Sequence, residues 1–504
     1  MAGSSLIQGL RRAVQLRSSA AAVVDSDSRF SWEELADRVA RLAGAFVARG
    51  LEAGDRVALL ALNSHRSLES FYAAIHAGGI IVPLNHRLAD EELARLLADC
   101  SPAILVLGSE FEDRAEALLS ALPYPVEVIR ASDWERVLAL ASPVPDAGCA
   151  DDDIACIFYT SGTTGEAKGV MLSHSNLNAN TLNVLAELHF DTTTVHLHHG
   201  PLFHVAAAAR LFSVTHVAGC HVFLPRFDPQ EVIAAVSEAR ITVATFVPTM
   251  LRALLDDPML TCSDMSSLEL ITYGSAPMPE PLLREVMAAL PRAGFAQSYG
   301  MTELSPVATM LGRGDHLAGK GLLRSAGRAV TTAEVAIVDP DGRHLATGQR
   351  GEIIVRGPMV MQGYWNRPDF TAKVLRDGWM HTGDVGYLDE AGYLFVVDRI
   401  KDMIVTGGEN VYSQEVEDCI ATLPGVAECA VIGLPDPKWG EAVHAEVRVK
   451  SGHELDQDQI VAHCRQHLAG FKCPKSVRLR TTPFPLNGAQ KISKADLRRE
   501  TSHT

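Results

Sequence analysis

The residues Tyr159-Thr160-Ser161-Gly162-Thr163-Thr164-Gly165-Glu166-Ala167-Lys168-Gly169 concentrate one kind of chemistry. Seven of the eleven are Gly, Ser or Thr, and the only cation among them is Lys168. Such a run offers backbone N–H groups unshielded by bulky side chains, several hydroxyl donors and one ammonium, the set needed to wrap a polyphosphate. It departs from the G-x-x-x-x-G-K-[ST] loop, because Gly169 follows the lysine and Ala167 precedes it. The apolar Ile154-Ala155-Cys156-Ile157-Phe158 just before it reads as a short buried strand. Taken alone, a Gly/Ser/Thr run is more often a flexible surface turn, so its meaning depends on what accompanies it.

Further short motifs follow along the chain: Pro201-Leu202-Phe203-His204, Gly274-Ser275-Ala276-Pro277, Ser298-Tyr299-Gly300-Met301-Thr302-Glu303 and Gly378-Trp379-Met380-His381-Thr382-Gly383-Asp384. Then come Asp398-Arg399-Ile400-Lys401-Asp402-Met403-Ile404, Gly407-Gly408-Glu409-Asn410-Val411 and Lys491. In content and order these resemble the motifs of the adenylate-forming (AMP-binding) enzymes: acyl- and aryl-CoA ligases, peptide-synthetase adenylation domains and firefly luciferase. Within that superfamily the chain is most similar to bacterial ligases of the feruloyl-CoA synthetase and fatty-acid–CoA ligase kind.

The resemblance implies an ATP-dependent acid–CoA ligase that forms an acyl-AMP, releases pyrophosphate, then forms a thioester and releases AMP. A carboxylate resists thiol attack because its leaving group would be oxide; AMP is a good leaving group. The first step brings two anions together, so charge must be neutralised and the groups held in line. By resemblance, Thr160, Ser161, Gly162, Thr163, Thr164 and Lys168 hold the β- and γ-phosphates, Thr302 meets the α-phosphate, and Glu303 ligates Mg²⁺. Gly274, Ser275, Ala276 and Pro277 would leave a flat slot for adenine, with Tyr299 as its aromatic face. Asp384 would accept the ribose hydroxyls, and Arg399 would donate to the same sugar. His204 would lie beside the acyl carboxylate. Lys491 matches the mobile catalytic lysine, although Gln490 stands where glycine is common; Lys494 is the alternative. Away from the motifs, each of these residues would read as an ordinary turn, core aromatic, surface ion pair or solvated basic tail.

For the second step the resemblance places a hinge at Lys401, a loop lining the CoA tunnel at Gly407, Gly408 and Glu409, and the nucleotide end of coenzyme A at Trp439, Phe471, Lys472 and Lys475. Cys473 occupies a position where some relatives carry arginine. The acyl pocket would be walled by Val205-Ala206-Ala207-Ala208-Ala209, Phe246-Val247-Pro248-Thr249-Met250 and Leu304-Ser305-Pro306. Small apolar residues there suit an aryl acid (hydroxycinnamate- or benzoate-like) or a medium-chain fatty acid. Arg210 leaves two readings: a helix residue turned away, or a cation reading a second carboxylate of a malonate-like substrate. His196, His198 and His199 invite a metal reading, but no carboxylate or cysteine partner accompanies them. The alternative enzymes are an adenylating enzyme loading a carrier protein and a luciferase-like oxygenase; a nucleotide-binding protein without catalysis is the fourth reading.

Positioning these residues calls for alternating strands and helices. Ser31-Trp32-Glu33-Glu34 forms a capping-box pattern opening a helix to about Arg49, with Leu35, Val39, Leu42 and Phe46 at helical spacing. Strands over 56–62, 80–83, 104–107, 154–159, 221–224, 243–247 and 268–273 alternate with helices such as 68–77. This predicts an α/β fold of parallel sheets flanked by helices. From Ala333 short strands (334–338, 352–356) separated by turns predict a small β-rich subdomain. Beyond it, helices 414–422 and 457–468 and strands 427–433 and 442–449 predict a small α+β domain. The expected division is residues 1–400, the N-terminal AMP-binding domain, and residues 401–504, the mobile C-terminal domain.

The 504 residues allow more than one domain and a large core. A formal charge of −16 disfavours nucleic acid and anionic membrane as partners. The expected partners are a small-molecule carboxylic acid, ATP and CoA, with a homodimer compatible. Nine scattered cysteines without a C-x-x-C pair predict reduced thiols and a cytoplasmic setting. The N-terminal segment lacks the apolar stretch of a secretory signal, and no apolar run reaches the ~20 residues of a membrane span.

Overall fold

Ser31 caps the helix Trp32–Val47 in both directions. Its hydroxyl accepts from the Glu34 backbone N–H, and its own N–H donates to the Glu34 carboxylate at 2.7 Å. The capping box read from the sequence is therefore formed, and Trp32, Leu35, Val39, Leu42 and Phe46 face the core. The computed structural model describes residues 5–25, 28–120, 122–160, 167–317, 321–450, 452–486 and 492–502. Ser161, Gly162, Thr163, Thr164, Gln490 and Lys491 lie outside the described residues.

Among the described residues the strands form sheets of nine, seven, five and five. The seven-stranded sheet runs in the order Gly363–Tyr364, Lys168–Ser173, Ile154–Thr160, Ile80–Pro83, Arg56–Leu60, Ile104–Leu107, Glu127–Arg130. Its strands from Ile154–Thr160 to Glu127–Arg130 pair in parallel. Residues such as Val57, Leu60, Ile81 and Leu105 are buried, as expected of a sheet covered on both faces. The nine-stranded sheet has a parallel centre running from Gly294–Tyr299 through Leu270–Gly274, Val243–Phe246, Val195–His198 and Cys220–Phe223 to Ala21–Asp25.

The α/β expectation thus holds, with differences at the edges. Lys168–Ser173, whose first two residues the sequence placed in the Gly/Ser/Thr-rich run, is a strand antiparallel to Ile154–Thr160, and Gly363–Tyr364 extends it. The helix expected over 68–77 begins earlier, at His65. The β-rich region is an antiparallel sheet built from Glu334–Val338, Gly351–Arg356, Leu375–Arg376, Trp379–Leu388 and Leu394–Arg399.

After Arg399 comes a smaller α+β unit. Its sheet contains Ile404–Thr406, Glu409–Val411, Val426–Asp436, Gly440–Val449 and Ser476–Arg480, with helices Ser413–Ala421, Gln457–His467 and Lys494–Ser502. Its contacts to the rest of the chain are mostly polar. Lys450 Nζ donates to Glu285 at 3.0 Å, Arg324 pairs with Asp418, and Arg350 lies 5.3 Å from the Tyr412 ring centroid. Asp398, just before the expected hinge, accepts from both the backbone N–H and the hydroxyl of Ser413. Lys494 Nζ donates to that hydroxyl at 2.6 Å and pairs with Glu417 at 2.7 Å. All nine cysteines are free thiols. No helix among the described residues is long and apolar enough to cross a membrane.

Candidate active site

Three separate elements bring Tyr299, Asp384 and Arg399 together. Tyr299 ends the strand Gly294–Tyr299, and its hydroxyl donates to Asp384 Oδ2 at 2.8 Å. Asp384 sits in the long strand Trp379–Leu388, directly opposite Arg399 in the antiparallel register. Arg399 Nε meets Asp384 Oδ1 at 3.2 Å. Burial and the Asp384 charge together push the Tyr299 phenol well above its ordinary pKa, so it remains a donor. A buried carboxylate flanked by a neutral phenol and a cation is a rigid acceptor site for hydroxyl groups.

The strand Leu270–Gly274 runs parallel beside Tyr299's strand, with Gly274 opposite Ser298. A Cβ at Gly274 would lie 2.3 Å from the Ser298 carbonyl oxygen, so only glycine permits this approach. The following Ser275 takes a left-handed φ of 64°. The Gly274-Ser275-Ala276-Pro277 turn therefore brings bare backbone to the end of Tyr299's strand.

Beyond Tyr299 the chain makes a 3₁₀ turn, Thr302–Leu304, which carries Glu303 inward. Glu303 is buried, and burial raises its pKa against the opposing influence of Tyr364, Arg399 and Lys168. The Tyr364 hydroxyl donates to Glu303 Oε1 at 2.7 Å. The Glu303 backbone N–H also acts on this carboxyl, lowering the pKa that burial raises. This carboxyl in a buried setting fits a hard cation, which would favour the charged carboxylate that burial disfavours.

Thr160 and Lys168 form the closing pair of the hairpin that carries residues 161–167. The Lys168 ammonium lies 3.9 Å from the Phe370 ring centroid and 5.4 Å from that of Tyr364. Tyr364 thus touches both Lys168 and Glu303, and neither it nor Phe370 was anticipated. Both lie in segments without motif character; only the pairing of Gly363–Tyr364 with Val170 and Met171 brings Tyr364 to the hairpin.

His204 is the residue before the helix Val205–His216, and its carbonyl accepts from the N–H groups of Ala207 and Ala208. Its ring lies 4.5 Å from Phe203, which in turn meets His86 at 5.1 Å. His196, His198 and His221 share one face of the nine-stranded sheet, with His198 Nε2 3.0 Å from His221 Nδ1. Burial holds all three, and His199, far below the ordinary imidazole pKa. Among the described residues no cluster of three or more His, Cys, Asp or Glu side chains could hold a metal ion.

In the C-terminal unit, Gly407 and Gly408 take left-handed φ values of 62° and 84°. The Trp439 indole packs over Gly407 so closely that a Cβ there would come within 2.9 Å of it. Trp439, Phe471 and Lys475 are exposed. Lys472 instead pairs with Glu415 at 2.8 Å, and Cys473 is buried.

The sequence matches the AMP-binding enzyme family over residues 10–365 and the AMP-binding enzyme C-terminal domain over residues 415–491. It is 41% identical to a feruloyl-CoA synthase of an Amycolatopsis species over 491 residues, 97% of each chain. It is 35% identical to the long-chain-fatty-acid–CoA ligase FadD13 of Mycobacterium tuberculosis, covering 98% of this chain and 97% of that one. The fold superposes on ATP-bound MatB from Rhodopseudomonas palustris with a TM-score of 0.91 at 34% identity, over 99% of both chains. With both family matches in chain order and full-length relatives well above 30% identity, this chain belongs to the AMP-binding enzymes, the adenylate-forming ligases.

Proposed function

We propose that this protein is an ATP-dependent carboxylic acid–CoA ligase. The observation that carries the reading is the Tyr299–Asp384–Arg399 cluster: a buried carboxylate held by a phenol and a guanidinium, at the end of the strand that Gly274 packs against. In this reading Asp384 accepts the ribose hydroxyls and Arg399 donates to the sugar. Gly274, Ser275, Ala276, Pro277 and Tyr299 bound the adenine.

Lys168 and Thr160, with Ser161, Gly162, Thr163 and Thr164, hold the β- and γ-phosphates, and Thr302 contacts the α-phosphate. Glu303 would hold Mg²⁺, which when bound supplies charge neutralisation at the phosphates. His204 and Lys491 flank the acid, Lys491 neutralising the charge that develops as the carboxylate attacks. After adenylation the unit following the Lys401 hinge reorients. Gly408 then lines the thiol's path, while Trp439, Phe471 and Lys475 hold the nucleotide end of CoA. The partial exposure of those two aromatics, 42% and 38%, supports a stacking role for them.

The acid is aryl or medium-chain. The residues from 206 to 209 that follow His204 are all alanine, and the 41%-identical relative is a feruloyl-CoA synthase. A panel of carboxylic acids assayed for AMP and pyrophosphate, with and without CoA, tests activity, acceptor and substrate together. ADP and phosphate as products would defeat the adenylation reading, and AMP without thioester would point to another acceptor.

A further inference from the structure

Arg210 stands on the helix Val205–His216, which His204 immediately precedes. Ala207, one turn before it, packs over Gly200 at the end of the Val195–His198 strand. Arg210 continues that face; burial lowers the pKa values of His196 and His198 on the strand below, and the Arg210 charge adds to that lowering. The side chain is buried, 3% exposed, yet Nε and Nη1 have no hydrogen-bond partner among the described residues.

Among the described residues no carboxylate offsets this charge: burial alone draws the guanidinium down, to about 10, which leaves it cationic at neutral pH. The histidines beneath it are neutral at that pH, so they do not balance it. Both ring nitrogens of His196 are themselves buried and unpartnered. A buried cation without an acceptor is strongly unfavourable. The helix between His204 and Arg210 carries alanine at 206 to 209, so this stretch is apolar with a cation at its far end.

We propose that Arg210 is a specificity residue that receives a second carboxylate at the far end of the acid, making the preferred substrate an aromatic or medium-chain dicarboxylate. This rests on the acid–CoA ligase reading and on His204 marking the reacting end. Six residues of helix separate the two positions, about 9 Å along the axis. A para-substituted cinnamate or an eight-carbon chain matches that backbone spacing, whereas the carboxylates of malonate are held by one methylene.

The test compares 4-carboxycinnamate with cinnamate and octanedioate with octanoate, in wild type, Arg210→Met and Arg210→Lys. The expected result is a wild-type kcat/KM for pyrophosphate release at least ~100-fold higher for each dicarboxylate. Such a margin follows because an analogue lacking the partner group leaves a buried polar group unpaired. Arg210→Met should reverse the preference, and Arg210→Lys should retain part of it. The dicarboxylates should also raise the Tm of the wild-type protein but not of Arg210→Met. That Tm readout needs no turnover, so a protein that activates no acid yet shows the Arg210-dependent shift would sink the ligase reading while supporting the site. A wild-type preference for cinnamate and octanoate, with no Tm shift from their dicarboxylates, would overturn the proposal even if neither variant folds.

Discussion

Tyr364 donates its hydroxyl hydrogen bond to Glu303 at 2.7 Å, and the same ring lies 5.4 Å from the Lys168 ammonium. One aromatic side chain therefore couples the proposed metal-holding carboxylate to the proposed phosphate-holding cation. Burial raises the Glu303 pKa and the Tyr364 hydrogen bond lowers it. Tyr364→Phe should raise it further. If the charged carboxylate is the working form, activity is lost as pH falls through this pKa. The acid limb of kcat/KM at limiting Mg²⁺ should then move to higher pH in the variant, with roughly a 10-fold loss near the limb. An unmoved limb would separate Tyr364 from Glu303's function.

Gly274→Ala tests the adenine slot. The added methyl would lie 2.3 Å from the Ser298 carbonyl oxygen, so one of the two adjacent strands must shift. We expect about 1–3 kcal/mol of destabilisation from overpacking. The KM for ATP should rise more than the KM for the acid. Equal effects on both substrates would place the strain away from the nucleotide.

Lys494 tests the network under the hinge. It pairs with Glu417 and donates to Ser413, which Asp398 holds. Lys494→Met removes the cation and should cost roughly 3 kcal/mol, as for breaking a buried pair; Lys494→Met/Glu417→Gln should recover part of it. Burial already raises the Glu417 pKa above its ordinary 4.5, and Lys494 opposes that rise. Without Lys494 the folded-state pKa climbs further. A carboxyl with a raised folded pKa gains stability on protonation, so the single variant's deficit should shrink as pH falls toward 4.5. Urea denaturation at several pH values measures it.

Lys491 and Lys401 separate the half-reactions. Lys491→Ala should nearly abolish acyl-AMP formation while converting supplied acyl-AMP and CoA to thioester at close to the parental rate. Lys401→Pro should do the reverse, since proline fixes φ near −65° where a hinge must turn. Equal loss of both steps in Lys491→Ala would redirect attention to Gln490 and Lys494.

The sequence made the strands and helices of the large α/β part legible because apolar runs and a capping box are local signals. Helix Trp32–Val47 and strand Ile104–Leu107 are cases in point. It did not reveal Lys168–Ser173 as a strand: glycine and lysine at its start mask a ladder fixed only by its neighbours. The motif residues Tyr299, Asp384 and Arg399 were legible as a list, but their mutual bonding depends on register across two sheets. Tyr364 and Phe370 carry no pattern of their own and are found only through what they touch. Arg210 was visible as an anomaly in an alanine-rich helix, but its isolation is a property of packing.

The small C-terminal unit is tacked to the large one by charges that water still reaches. Lys450 and Glu285 are each over a third exposed, and Arg324 is more so. Pairs of this kind contribute about 0.2–1 kcal/mol each and fade once salt shortens the Debye length to roughly 8 Å. Such a seam adheres weakly and re-forms readily. Added salt should therefore weaken this seam like a lubricant while the cores on either side stay folded.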